Sequence, residues 1–188
     1  VIRASFPVAL AFTSDGRLFY NELISGRIRV YDRGRAYTFA QVKVFACGEF
    51  GLLGLAVDPE FQENRYIYVY YIEPVADQED IGHPVIVRFT DDDGEGQDPT
   101  VIVGDLPNTS NVCAHVGGNI HFGLDGYLYV SIGDMQIWEP NYAQDLDSPL
   151  GKILRIDKKD GSAAPNNPFF NQRGADPRVF SYGLRNTF

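Results

Sequence analysis

Apolar residues recur at every second position in short runs along this chain, and turns built on Gly and Asp separate the runs. Alternation over about 4–8 residues marks half-buried β-strands. The pattern predicts strands over residues 8–12, 17–20 and 27–31, with Ser14-Asp15-Gly16 and Ser25-Gly26 as turns. A second group covers 52–57, 66–72 and 85–89, and a third covers 119–122, 127–132 and 152–156. Tyr66-Ile67-Tyr68-Val69-Tyr70-Tyr71 is the clearest strand, because every residue in it is a β-former. No segment sustains a 3.6-residue period, so helices are expected to be few and short.

The strand groups contain a repeat. Leu10-Ala11-Phe12-Thr13-Ser14-Asp15-Gly16-Arg17-Leu18-Phe19-Tyr20 has the same order of residue types as Ile120-His121-Phe122-Gly123-Leu124-Asp125-Gly126-Tyr127-Leu128-Tyr129-Val130. Leu55-Ala56-Val57-Asp58-Pro59, followed by Tyr66-Ile67-Tyr68-Val69, is the same phrase with a longer turn. The origins near Phe12, Val57 and Phe122 are spaced by 45 and 65 residues. A unit of about 40–50 residues holding four strands is a propeller blade. The longer spacing calls for an inserted loop, and the polar run 90–100 is the candidate. A β-sandwich has the same density of short strands, but it does not explain why the phrase recurs. The expected fold is therefore all-β, a β-propeller.

Composition and charge narrow the partners. The chain has 188 residues, of which 44% are hydrophobic and 13% aromatic, which fits a folded, strand-rich domain. Sixteen basic residues against 25 acidic ones leave a net charge of −9. Phosphate contacts need a basic surface, so neither nucleic acid nor an acidic membrane surface is an expected partner. No apolar run approaches the ~20 residues of a membrane span. The chain begins at Val1 rather than Met, so a processed or partial product is expected.

Candidate chemistry is sparse. Gly48-Glu49-Phe50-Gly51-Leu52-Leu53-Gly54 has the wrong glycine spacing for a dinucleotide fingerprint, and Gly151-Lys152 lacks the rest of a P-loop. His115 and His121, six residues apart on an extended segment, would be separated by ~20 Å, too far to share one metal ion. Asp91-Asp92-Asp93-Gly94-Glu95-Gly96 lacks the register of a Ca²⁺ loop and reads as a solvated hairpin tip. No metal ligands are assigned within the chain. His115 carries more information. Gly117 and Gly118 follow it closely, where a flat ligand or another strand could approach. Asp134 ends the next strand. A His held by an Asp at a propeller mouth is the arrangement a general base needs.

These residues carry a resemblance. The stretch from His115-Val116-Gly117-Gly118-Asn119 to Ser131-Ile132-Gly133-Asp134 resembles the central motif of the glucose/sorbosone dehydrogenases, quinoproteins that use pyrroloquinoline quinone (PQQ). Gly51-Leu52-Leu53-Gly54-Leu55-Ala56-Val57-Asp58-Pro59, Leu150-Gly151-Lys152-Ile153-Leu154-Arg155-Ile156-Asp157 and Tyr182-Gly183-Leu184-Arg185-Asn186 agree with the same family, in order. The resemblance implies a six-bladed propeller, with blades near 1–45, 46–105 and 106–180 and the start of a fourth at 181–188. About half a ring is thus expected, its open edge covered by further sequence or a partner chain. The implied activity is oxidation of the C1 hydroxyl of aldose sugars, with His115 as the catalytic base and Asp134 as its support. Arg185 would be catalytic and, with neighbouring Asn186, would contact PQQ. Glu49 would lie near the sugar. The ligands for a PQQ-associated Ca²⁺ would lie outside these residues. Ala114 replaces the Asp that precedes the base in the glucose enzymes. That departure keeps open a non-catalytic binding module or accessory subunit, as in the Hedgehog-interacting proteins, which resemble the same family. Cys47 and Cys113 fall in loops expected at one mouth of adjacent blades. They are read either as a disulfide, suiting a periplasmic or extracellular setting, or as two buried thiols.

Overall fold

The computed structural model describes residues 2–137 and 139–188. They form three four-stranded antiparallel sheets, each meandering in chain order. The first sheet holds β1 (Pro7–Phe12), β2 (Leu18–Glu22), β3 (Arg27–Asp32) and β4 (Arg35–Gln41). The second holds β5 (Leu52–Val57), β6 (Tyr66–Val75), β7 (Gln78–Asp92) and β8 (Glu95–Val103). The third holds β9 (Gly117–Phe122), β10 (Leu128–Ile132), β11 (Lys152–Ile156) and β12 (Val179–Tyr182). Among the described residues, helical structure is limited to α1 (Phe61–Asn64) and a 3-10 turn at Tyr142–Gln144. The chain is an arc of three propeller blades whose first strands, β1, β5 and β9, lie side by side.

The alternation along β6 shows how the blades stack. Ile67 and Val69 point to one side and pack with Phe19, Ile28, Val30 and Phe39 of the first blade. Tyr68, Tyr70 and Ile72 point to the other side and pack with Ile120, Leu128, Val130 and Ile132 of the third blade. The middle blade is therefore buried on both faces, which explains the unbroken apolar run of β5, buried from Leu52 to Ala56. On β1, by contrast, Ala9 and Ala11 pack against the neighbouring blade, while Val8, Leu10 and Phe12 are exposed, Phe12 at 67%. One apolar face of the arc is open there.

The recurring phrase has a structural basis. In the β1–β2 turn the Gly16 N–H donates to Thr13 O, and in the β9–β10 turn the Gly126 N–H donates to Gly123 O, each at 3.0 Å. Gly16 and Gly126 take φ of 90° and 81°, where a side chain would be strained. In the middle blade the same turn is lengthened by α1 and closed by the Asp58 N–H donating to Tyr66 O.

Ion pairs tie adjacent blades. Arg17 of the first blade bridges its own Asp15 (2.8 Å) and Asp91 at the β7–β8 tip (2.6 Å). Lys158 of the third blade meets Asp58 (2.8 Å) and Glu60 (2.6 Å) of the second. Lys152 is fully buried, and its ammonium donates to the carbonyls of Leu150, Tyr142 and Ala143. Three N–H groups meet three acceptors, which is what keeps a cation inside.

Three expectations need correction. Residues 90–100 are not an inserted loop; they form the tip and flanks of the β7–β8 hairpin, with Thr90 paired to Gln97. The extra length of this unit lies instead in the long β6–β7 hairpin and the linker after β8. Asp91 in the acidic tip is buried by its pairing with Arg17, although the rest of the tip is largely exposed as expected. A fourth blade does not start at 181, because Ser181 and Tyr182 pair with Ile153 and Lys152 and complete the third.

Candidate active site

His115 sits just before β9, and Asp134 sits just after β10. The two strands are antiparallel, with Gly117 opposite Ile132, so their adjoining ends run together. The Gly133 N–H donates to Val116 O (3.1 Å) and the Met135 N–H donates to His115 O (3.0 Å). Residues 19 apart in sequence thereby meet, with His115 Nδ1 2.8 Å from Asp134 Oδ1. Both side chains are buried, at 8% and 9% exposure. A carboxylate accepts, so the proton belongs on Nδ1, and Nε2 becomes the basic nitrogen. Asp134 is itself fixed, because Oδ1 also accepts the Gln136 N–H at 2.8 Å.

The backbone around the dyad is unusual. His115, Cys113, Met135 and Gln136 all have φ between 54° and 58°, in the left-handed region. Non-glycine residues there are strained, and such strain gathers at functional sites. Gly133 explains why the segments pass so closely, since a Cβ on it would fall 1.9 Å from His115 O. Gly117 and Gly118 likewise admit neighbouring protein. A Cβ on Gly117 would meet Ser131 O and Gly133 N at 2.8 Å, and one on Gly118 would meet Leu53 at 2.9 Å. Close approach of neighbouring backbone and side chains thus accounts for both glycines, and both also line a cleft.

The other expected site residues converge here. The Asp134 N–H donates to Arg185 O at 2.8 Å, which anchors the segment after β12. Arg185 is exposed. Asn186 accepts the Gly117 N–H on Oδ1 (3.3 Å) and donates from Nδ2 to Glu49 Oε2 (3.0 Å). Glu49 Oε2 also accepts the His115 N–H at 2.8 Å. Glu49 with Gly48, Leu53, Gly117, Gly118 and Asn119 lines a cleft of about 560 Å³. Cys47 and Cys113 are joined in a disulfide with Cα atoms 5.5 Å apart, which replaces the reading of two thiols. It links the loops that carry Glu49 and His115, and the Glu49 N–H donates to Cys113 O at 3.0 Å.

The remaining histidines stand apart. His83 bonds Asn108 Oδ1 (2.8 Å) and Gly104 O (3.0 Å). His121 is exposed on β9 and lines the same cleft. Among the described residues, no three His, Cys, Asp or Glu side chains converge as a metal-binding group.

Comparison with known proteins bears on the family and the fold. The family described as Glucose / Sorbosone dehydrogenase matches residues 4–188. The chain belongs to this glucose/sorbosone dehydrogenase family. It is 32% identical over 184 residues to the aldose sugar dehydrogenase YliI of Escherichia coli K12, covering 96% of this chain and 48% of that protein. A glucose dehydrogenase-type oxidoreductase structure from Thermus thermophilus superposes with a TM-score of 0.86 at 41% identity, covering 97% of this chain and 52% of the other. The PQQ-bound aldose sugar dehydrogenase of Streptomyces coelicolor superposes with a TM-score of 0.82 at 31% identity, covering 98% and 52%. The chain thus spans about half the length of these relatives.

Sequence reasoning finds the dyad and its neighbours but misses two supports. Gly133 stands in the motif with no sequence reason for being glycine. The buried Lys152 carries no signal beyond its place at the head of an apolar strand.

Proposed function

We propose that this chain supplies the proton-accepting side of a PQQ-dependent dehydrogenase that oxidises the C1 hydroxyl of aldose sugars. The observation that carries this reading is the buried His115–Asp134 pair at 2.8 Å, bonded through the His115 N–H to Glu49 of the cleft lining, in a chain of this family. The residues present fit an anionic quinone through charge: Arg185 is exposed, and Asn186, tied to Glu49 and Gly117, follows it in the chain. When bound, PQQ supplies a two-electron acceptor for the hydrogen on C1.

His115 Nε2 takes the proton of the C1 hydroxyl as the C1–H bond breaks, and C1 becomes a carbonyl. Asp134 keeps the imidazole oriented through Nδ1 and stabilises its positive charge after proton transfer. Arg185 places positive charge where negative charge grows during reduction. Asn186 holds Gly117 and Glu49 in register at the cleft rim.

The full activity, in this reading, needs the other half of the ring. Further sequence or a partner chain would cover the apolar face of Val8, Leu10 and Phe12 and supply the Ca²⁺ ligands. The disulfide supports a periplasmic or extracellular setting, because disulfides persist in oxidising compartments. The test is an absorbance titration with PQQ, followed by sugar-dependent dye reduction with Ca²⁺ present. The six-bladed assembly is expected to bind PQQ and turn over, and the 188-residue chain alone is expected not to turn over. An assembly that neither binds PQQ nor reduces dye would leave the non-catalytic binding module as the function.

A further inference from the structure

We propose that Glu49 is a positioning residue for the base, its carboxylate clamping the His115 backbone and the Asn186 amide together. The inference deepens the dehydrogenase reading and rests on it for the identity of the base.

Glu49 Oε2 accepts two hydrogen bonds, from the His115 N–H at 2.8 Å and from Asn186 Nδ2 at 3.0 Å. Asn186 Oδ1 in turn accepts the Gly117 N–H. A closed ring results, running from Glu49 to His115, along the backbone to Gly117, through Asn186 and back to Glu49. It joins the loop before the second blade, the first strand of the third blade and the segment after β12. Hydrogen bonds to a charged acceptor are roughly twice as strong as neutral ones.

The ring has a specific task. His115 has a φ of 56°, and Cys113, two residues earlier, has a φ of 58°. A β-carbon disfavours this conformation, so neighbours must impose it. The Met135 N–H holds the His115 carbonyl, and Glu49 holds its N–H. With the carboxylate removed, a donor in a buried residue loses its acceptor, and the turn that aims the imidazole at Asp134 loses a backbone tie.

Glu49 is also held where this task requires it. Its own N–H donates to Cys113 O, and the Cys47–Cys113 disulfide lies two residues before it. Gly48 has a φ of 56°, and a Cβ there would fall 2.4 Å from Cys113 O, so the loop is seated directly on the segment that leads into His115. Oε2 is committed to these two bonds, so a sugar hydroxyl reaching Glu49 would meet Oε1 and leave the clamp in place.

The experiment follows the amide resonances of His115 and of the Asn186 side chain by NMR in wild type, Glu49→Ala and Glu49→Gln, beside steady-state kinetics of the assembled enzyme. In Glu49→Ala both resonances are expected to move upfield. Amide exchange at His115 should rise about tenfold, and kcat should fall about tenfold with sugar KM unchanged. Glu49→Gln keeps a carbonyl acceptor and should restore a large part of both effects. Unmoved resonances in Glu49→Ala, or a rise in sugar KM alone, would overturn the clamp. Should Glu49→Ala not fold, the Gln variant decides: because a neutral acceptor bonds more weakly than a carboxylate, a small upfield shift of both resonances with sugar KM unchanged supports the clamp, and resonances identical to wild type, or a raised sugar KM alone, overturn it. The NMR readout needs no turnover. Shifted resonances in a protein that shows no PQQ-dependent activity would therefore keep the clamp and reject the dehydrogenase reading.

Discussion

The backbone N–H of Asp134 donates to the carbonyl of Arg185 at 2.8 Å. The same aspartate accepts from His115 Nδ1 on its side chain, so one residue sets the position of the proposed base and of the segment carrying the proposed cation. The dyad and the arginine are therefore one mechanical unit built at the end of β10, and a change at Asp134 reaches both.

Asp134→Asn removes the carboxylate while leaving the backbone link to Arg185 in place. The neutral amide no longer stabilises an imidazolium or fixes the tautomer. Dye reduction by the assembled enzyme should fall by about 10²–10⁴-fold, with PQQ affinity unchanged in an absorbance titration. Equal losses in both would point to a structural role for the side chain.

Gly133→Ala places a Cβ where His115 O already stands, 1.9 Å away. Either the backbone of the dyad separates or the strand ends part, and overpacking of this kind costs about 1–3 kcal/mol. Thermal unfolding should show that loss, together with faster exchange of the Met135 amide.

The Cys47–Cys113 bridge closes a loop with a sequence separation of 66. Loop-closure entropy sets its contribution at up to about 4 kcal/mol. Reduction should lower the unfolding midpoint and accelerate amide exchange at Glu49 and His115 before other sites, which a dithiothreitol titration followed by hydrogen exchange would show. Uniform exchange rates after reduction would contradict a link between the bridge and the base.

Acid stability follows from the ion pairs of Asp15, within the first blade, and Asp58, between the second and third. The Arg17 guanidinium holds the Asp15 carboxyl at about 2. Burial alone would raise Asp58, but the Lys158 ammonium, Asn64 and the Glu60 N–H together hold it below the ordinary carboxylate value. Both shifts are downward, so the unfolded chain binds the extra proton first. Their stabilisation is complete above about pH 4 and is lost as pH falls toward about 2. Asp58→Asn should cost about 2 kcal/mol at neutral pH, discounted because Lys158 is partly exposed. It should also flatten the acid limb, as measured by urea unfolding across that range.

The legibility of the sequence tracks burial. Strands in the packed middle of each blade, such as β6 and β10, declare themselves through runs of β-branched and aromatic residues bounded by turn residues. The strands that escape recognition are the last of each sheet. Glu95-Gly96-Gln97-Asp98-Pro99 opens β8 with residues poor in β-propensity, which an edge strand tolerates and which help keep it from pairing with other chains. In β4 only Phe39 is buried, and in β12 only Val179, so neither shows a period. At the site, residue types and order point to His115, Asp134, Arg185, Asn186 and Glu49 through the family resemblance. The double bond of Glu49 to His115 and Asn186 is not legible, because it joins residues 66 and 137 positions apart through one oxygen atom.

His115 is the proposed base of a PQQ-dependent sugar dehydrogenase, and His115→Ala in the assembled enzyme is the decisive variant. Sugar-dependent dye reduction with PQQ and Ca²⁺ should fall by about 10²-fold or more, while PQQ still binds. A variant that reduces dye at the wild-type rate would contradict the account.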